Sequence, residues 1–334
     1  MELLEVEGLT VEYTTRRGTA RALDNVSLSV TENTTLGIVG ESGCGKSTFG
    51  RAIIRLVPYP GRIVSGRIVL NNDEELRKDT HVIPAGPIDI MKISEHKMGL
   101  LRGRKISYIF QDPMTSLNPM MNIGDHFVEL IRAHEPDVSK EEALDRARGL
   151  LNDLGILSNR VSDYPHQFSG GMRQRVMVGL GLALNPRLLI ADEPTTSLDV
   201  VVEAQILDLM ADLKRKFNLT MIMITHNLGV LAQTADDIAV IYAGRIVERA
   251  GAESLFERPK HPYTRALLQS VADVTRPDKK LTWIPGAPPD LTQLSPGCKY
   301  EPRCPFAKAQ CREVEPLLEP VEKDGVVACH FWEE

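Results

Sequence analysis

The chain has 334 residues, about two domains' worth, with 43% hydrophobic and 25% charged side chains. Its 39 basic and 45 acidic residues leave a formal charge of −6 without a dense Lys/Arg cluster, which argues against a nucleic-acid partner. The longest apolar stretch, Val176 to Leu184, is cut by Gly179 and Gly181; it falls short of the ~18 residues a membrane-spanning helix needs. The start, Met1-Glu2-Leu3-Leu4-Glu5, lacks the basic head and apolar core of a secretory signal, so a cytosolic setting with reduced thiols is expected.

In chain order, Leu3 to Tyr13 and Ala22 to Val30 alternate apolar and polar residues and predict an antiparallel edge layer. Thr35 to Val39 is a short apolar run ending at Gly40-Glu41-Ser42-Gly43-Cys44-Gly45-Lys46-Ser47, and Ser47 to Leu56 continues with helical character. That is strand, glycine loop, helix. Asn71 to Ile93 is polar without a clear period and predicts a surface excursion. Ile106 to Phe110, Leu188 to Ala191 and Thr220 to Thr225 are too short for helices and do not alternate, as expected of strands buried on both faces. The fold class is therefore α/β: a mostly parallel sheet of the phosphate-loop NTPase kind, flanked by helices, with the antiparallel β edge layer beside it.

Between Gln111 and Tyr164 the character turns helical. Ser139-Lys140-Glu141-Glu142 has capping-box spacing, and Ala143, Leu144, Ala147, Leu150, Leu151 and Leu154 line one face after it. An inserted helical subdomain is expected over about 112–170. Ile238 to Glu248 reads as a hairpin turning at Ala243-Gly244. Prolines then crowd the stretch from Pro259 to Pro305, and four of the five cysteines lie from Cys298 onward, so a small Cys/Pro-rich C-terminal module is expected over 256–334, after a nucleotide-binding domain over 1–255.

A triphosphate concentrates negative charge, so its site needs backbone N–H donors at close range and a helix N-terminus behind them. Gly40, Gly43 and Gly45 supply the turn, with Glu41, Ser42 and Cys44 between them; Lys46 is the cation for the terminal phosphates, Ser47 the expected Mg²⁺ ligand and Thr48 a supporting neighbour. Asp192 and Glu193 close an apolar strand at the edge where ligands of α/β sheets collect. Asp192 is expected to hold Mg²⁺, and Glu193 to orient and deprotonate the attacking water. His226, following another strand, is a candidate for contacting the terminal phosphate. Gln111 can hydrogen-bond water or metal at the head of the helical subdomain.

Cys298, Cys304, Cys311 and Cys329 are separated by 5, 6 and 17 residues. Four thiolates can satisfy either tetrahedral Zn²⁺ or a [4Fe–4S] cluster, and the spacing lacks the paired C-x₂-C of common zinc modules. Such a group would staple a segment poor in apolar residues, or sense redox state. Cys44 is set apart as a small side chain inside the phosphate loop.

These motifs together resemble the ATP-binding cassette (ABC) family over roughly residues 3–255. Phe168-Ser169-Gly170-Gly171-Met172-Arg173-Gln174 is similar to that family's signature, with Met172 where glutamine is commoner. The resemblance implies a head-to-tail dimer sandwiching two ATP molecules, in which Ser169, Gly170 and Gly171 complete the partner's site. It further implies that Ser197-Leu198-Asp199 crosses the dimer interface, that Gln111 and His226 are switch residues, and that Tyr13 stacks on adenine, although an ordinary core or surface tyrosine fits Tyr13 equally. Gln111 to Pro119, His261-Pro262-Tyr263-Thr264, Ile284 to Pro289, and Gly297-Cys298 through Pro305 resemble the oligopeptide/dipeptide importer branch. That branch implies a [4Fe–4S] cluster on the four cysteines, with Zn²⁺ the alternative. It also implies a second, related ATPase chain as heterodimer partner, two membrane-spanning permease subunits, an extracellular solute-binding protein, and a peripheral place on the cytoplasmic face of the cell membrane. Importers of nickel or oligosaccharides share the machinery.

Overall fold

A computed structural model describes residues 1–78, 80–112, 116–196, 198–270, 283–321 and 325–333. The chain divides into two compact units: Met1–Leu70, Asp89–Met91 and Met223–Glu334 form the first; Asn71–Ile88 and Lys92–Ile222 form the second.

The first unit begins with β1 (Glu2–Thr15), β2 (Gly18–Thr31), β3 (Thr35–Val39), α1 (Lys46–Ile53) and β4 (Gly61–Asn72). The alternation predicted for β1 and β2 is realised: β1 is the middle strand of an antiparallel layer ordered β2-β1-β4. Its Leu4, Val6 and Val11 stand opposite Val30, Leu28 and Leu23 on one side and Leu70, Ile68 and Ile63 on the other. Leu4, Val6, Leu9 and Val11 are all buried, so one face of the layer is core and a one-residue slip would expose it. β3 has no exposed residue, which is why its sequence does not alternate.

The second unit comprises β5 (Leu76–Lys78), β6 (His81–Ile83), β7 (Gly86–Asp89), α2 (Glu95–Leu101), β8 (Ile106–Ile109), α3 (Ile123–His134), α4 (Lys140–Asp153), α5 (Gly170–Leu182), β9 (Leu188–Asp192) and α6 (Val200–Phe217). The segment expected to be a mere surface excursion is structured. β5 and β6 pair as an antiparallel hairpin, and Leu76, Ile83 and Ile88 are buried. Lys105 anchors its start, donating to Asp73 at 2.6 Å and Glu74 at 2.8 Å. Asp89–Met91 returns to the first unit, where the Ile90 N–H donates to Ile68.

β8 and β9 pair in parallel, Ile106 opposite Leu188 and Tyr108 opposite Ile190. α4 starts where the capping residue places it: Ser139 Oγ accepts from the Glu142 N–H at 3.1 Å. Of its predicted apolar face, Ala143, Ala147, Leu151 and Leu154 are fully buried, while Leu144 and Leu150 are half-buried. The part of the predicted 112–170 subdomain at 113–115 lies outside the described residues.

β10 (Thr220–Thr225) carries the chain back to the first unit, followed by α7 (Leu228–Thr234), β11 (Asp237–Tyr242), β12 (Arg245–Gly251), α8 (Ala252–Glu257), α9 (Pro262–Ser270), α10 (Ala309–Glu313), β13 (Glu319–Val321) and β14 (Gly325–Val327). Within this unit the strands run β13-β14-β12-β11-β3. β11 pairs with β3 in parallel and with β12 antiparallel, so the sheet is mixed. The β11–β12 turn uses Ala243 at φ 49° and Gly244 at φ 79°, the left-handed pair that a two-residue hairpin connection demands. The residues after 256 belong to this same unit: β14 pairs with β12, Glu248 opposite Val327, and Tyr242, Tyr263 and Tyr300 pack ring against ring with centroids 4.6–5.3 Å apart. Among the described residues no helix is long and apolar enough to cross a membrane.

Candidate active site

The glycine loop hangs between β3 and α1. Gly43 (φ 81°) and Gly45 (φ 108°) hold left-handed backbone, and a Cβ on Gly40 would lie 2.2 Å from the Ile241 carbonyl oxygen. No other residue type makes this turn without displacing main chain. Lys46 opens α1 and is buried, its ammonium donating to the carbonyls of Gly40 (2.7 Å) and Glu41 (3.0 Å). An ammonium carries three protons, so two carbonyls do not exhaust it. Ser42 lies on the exposed outer turn, and Cys44 is buried with its thiol pushed up by burial, consistent with a packing role.

Glu41 is held at three points. Its carbonyl accepts from Lys46, its N–H donates to the Tyr263 hydroxyl at 2.8 Å, and its carboxylate takes both arms of Arg303 at 2.6 and 3.0 Å. On the same unit, the Tyr13 hydroxyl lies 3.4 Å from Thr48 Oγ1, beside the first turn of α1. His226 follows β10 and is exposed; Ser47 sits half-buried one position into α1.

In the second unit the carboxylates have distinct surroundings. Asp192, fully buried at the end of β9, accepts from the Tyr108 hydroxyl at 2.7 Å. Glu193, one residue on, has left-handed backbone at φ 48° and its Oε2 accepts from both Gln111 Nε2 and Thr196 Oγ1 at 2.9 Å. A non-glycine residue held there carries strain that the flanking structure must sustain. The structure thus brings Gln111 to Glu193 directly, and Gln111 itself is exposed.

The Ser169-Gly170-Gly171 turn opens α5. Ser169 Oγ caps it by accepting from the Met172 N–H at 3.3 Å, and both Ser169 and Gly170 are exposed. Gly171 is needed for space, since a Cβ would come within 2.5 Å of Val202. Arg160 ties the turn together, with its guanidinium over the Phe168 ring at 4.3 Å and donating to the Gln167 carbonyl at 3.1 Å and Met172 Sδ at 3.4 Å. Met172 therefore has a local partner in the position where it departs from the commoner glutamine. Of the expected interface loop, Ser197 lies outside the described residues, while Asp199 caps α6 by accepting from Val202 N–H at 3.0 Å.

All four cysteines, Cys298, Cys304, Cys311 and Cys329, line one cavity of about 40 Å³ together with Tyr300, Phe306 and Phe331. The Cys298 N–H donates to the Cys311 carbonyl at 2.8 Å. Burial pushes the Cys298 thiol up to about 11 and raises Cys304 and Cys329 as well. Among the described residues, no group of three or more His, Cys, Asp or Glu side chains is gathered so that it could hold a metal ion.

The model of the ABC transporter family matches residues 23–196, which contain the glycine loop, the signature turn and the paired carboxylates. The chain belongs to the ABC transporter family. A second model, the C-terminal region of oligopeptide/dipeptide transporters, matches residues 247–311. The ABC proteins similar to it include the dipeptide transport ATP-binding protein DppD of Escherichia coli, 40% identical over 99% of this chain and 97% of that protein. The oligopeptide transport ATP-binding protein OppD of Bacillus subtilis is 45% identical over 95% of this chain and 85% of its own. A solved dimeric ATP-binding cassette in a post-hydrolysis state with ADP and Pi superposes with a TM-score of 0.63 at 25% identity, covering 75% of this chain and 99% of the other.

In this ABC ATPase, sequence reading did not single out Tyr108, Thr196 or Arg160, and took Tyr263 and Arg303 only as parts of resembling stretches; Tyr108, Tyr263 and Arg303 act through partners distant in sequence. For Tyr108 a signal existed: a tyrosine inside an apolar strand must satisfy its hydroxyl somewhere. Tyr108→Phe should withdraw a charge-assisted donor from buried Asp192, destabilising that arrangement by about 1.5–3 kcal/mol. The check is Mg²⁺ titration of ATP hydrolysis, where the half-saturating Mg²⁺ concentration should change; an unaltered titration and unaltered stability would remove Tyr108 from the site.

Proposed function

We propose that the chain is the ATP-hydrolysing subunit of an importer of di- or oligopeptides, peripheral on the cytoplasmic face of the cell membrane. The observation that carries this is the match along nearly the full chain to dipeptide and oligopeptide transport ATP-binding proteins, including the C-terminal region. The triphosphate is taken by the N–H groups of the loop from Gly40 to Ser47, by Lys46, and by Thr48 at the helix start. Mg²⁺ is held by Ser47, Gln111 and Asp192; Glu193 positions and deprotonates water, and His226 contacts the terminal phosphate. Tyr13, beside Thr48, stacks on the adenine.

Ser169, Gly170 and Gly171 serve the site of a second, related ATPase chain, in a head-to-tail heterodimer seated on two membrane-spanning permeases fed by a solute-binding protein. The dimeric cassette at a TM-score of 0.63 and the exposure of the signature turn support this. Closed and open pairs bind different permease conformations, and that differential affinity is what drives transport. The four cysteines hold a [4Fe–4S] cluster. These residues line one shared cavity and supply a soft donor set, which supports this reading, and such a cluster would staple the C-terminal segment.

The test is reconstitution of the chain with permeases, partner ATPase and binding protein encoded beside it. Peptide uptake that depends on ATP is the expected result. Uptake of nickel or oligosaccharide with no response to any di- or oligopeptide would overturn the cargo assignment, and hydrolysis without partners at the full rate would overturn the shared site. Iron and acid-labile sulfide in near-equal amounts, lost on Cys304→Ser, would bear out the cluster; zinc or neither would not.

A further inference from the structure

Three features meet at Glu41, the second residue of the phosphate loop, and two come from the C-terminal region. Arg303 grips the carboxylate with both arms, and its remaining donors go to the Pro285 carbonyl (Nε, 2.8 Å) and the Ile284 carbonyl (Nη2, 3.5 Å) of the C-terminal region and to the Tyr242 hydroxyl of β11 (Nη1, 3.3 Å). Its side chain is only 5% exposed. The Arg303 stem passes over Gly286, whose backbone is left-handed at φ 77°, so the Ile284–Pro289 stretch is shaped around it. Arg303 immediately precedes Cys304, and its own N–H donates to the Tyr300 carbonyl. The Tyr263 hydroxyl, from α9, takes the Glu41 N–H.

The backbone of Glu41 also accepts from Lys46, the cation for the terminal phosphates. A shift of Glu41 therefore moves the acceptor that places the Lys46 ammonium. Packed, hydrogen-bonded chains of this sort transmit displacement because neither end can relax into water. We infer that Arg303 is a positioning residue for the phosphate loop, and that the cysteine-bearing region sets the affinity for MgATP through the Arg303–Glu41 pair. This rests on the phosphate-loop reading given above. It assigns the C-terminal region a task in nucleotide binding, beyond the stapling of its own fold.

The experiment compares the full chain, assembled with its transporter partners, with Arg303→Met, Glu41→Gln and the double variant, using MgATP as the probe. Each single change should raise KM for ATP about tenfold, the loss expected of a hydrogen bond between charged groups, while kcat stays within about twofold. The double variant should be no worse than either single one, because both remove the same link. By reciprocity, MgATP should slow amide exchange at Arg303 and Cys304 in the native chain, and less so in Glu41→Gln. An unchanged KM in folded Arg303→Met, singly raised KM values that multiply in the double variant, or exchange at Arg303 and Cys304 indifferent to MgATP would each overturn the inference. Should Arg303→Met not fold, the milder Glu41→Gln decides by the same KM criterion. Failure of the native chain to bind MgATP would instead sink the phosphate-loop reading.

Discussion

Glu193→Gln should lower the rate of ATP hydrolysis by ~10²- to 10⁴-fold while leaving ATP affinity nearly unchanged. That corresponds to about 3–5 kcal/mol of barrier. The substitution removes the proton acceptor and little else. The Glu193 oxygen that takes Gln111 Nε2 and Thr196 Oγ1 at 2.9 Å can be replaced by an amide oxygen that accepts the same two donors. The left-handed backbone at φ 48° stays as it is, since glutamine and glutamate share the same steric preference there. Single-turnover hydrolysis beside equilibrium binding of ATP separates the two quantities. Rates equal to those of the native chain would mean that Glu193 is not the base and that the reading of the carboxylate pair is wrong.

Acidification should destabilise the first unit through His261. This imidazole is fully buried, and burial followed by the nearby Arg265 charge draws its pKa from 6.5 down to about 3. Its Nδ1 accepts from the Tyr263 N–H at 3.0 Å, which requires the neutral ring. The folded-state pKa lies below the unfolded one, so the unfolded chain binds a proton that the native chain refuses. Stability from this group is therefore complete above about pH 6.5 and falls by about 1.4 kcal/mol per unit as pH drops toward 3. By pH 5 the loss is about 2 kcal/mol, and near pH 3 about 4–5, against a typical total of about 5–15 kcal/mol. Glu248 takes the N–H groups of Lys260 and His261 at 2.7 and 2.9 Å, so the damage would begin where α9 is tied to β12. Chemical denaturation from pH 7.5 to 5 should show His261→Asn, which keeps an acceptor for Tyr263, with a flatter pH profile by about one proton. Parallel profiles for the two proteins would clear His261 of the effect.

How much of this was legible depends on whether a signal is local. The glycine loop announces itself because Gly40, Gly43, Gly45, Lys46 and Ser47 fall within one short stretch of chain, and β3, β9 and β10 because full burial leaves apolar runs without alternation. The hairpin at Ala243-Gly244 and the cap at Ser139 are equally self-contained. The segment Asn71 to Ile93 was not legible. Its buried Leu76, Ile83 and Ile88 stand singly among polar residues, and the ion pairs of Lys105 with Asp73 and Glu74 join positions about thirty residues apart. Arg303 is the extreme case: it stands beside Cys304 in a stretch read for its cysteines, and its partner Glu41 lies 262 positions away. The sequence pattern separates a C-terminal module by its prolines and thiols, yet hydrogen bonding places β14 alongside β12.

That pairing also governs what the sheet offers to its surroundings. Without β13 and β14, β12 would present a bare row of amide and carbonyl groups, a template on which other chains could zip together. Pro320, in the outermost strand, contributes no N–H and so blunts the last margin that remains. A chain truncated near 255 would keep every nucleotide motif and yet be expected to clump, so solubility here is guarded by the tail.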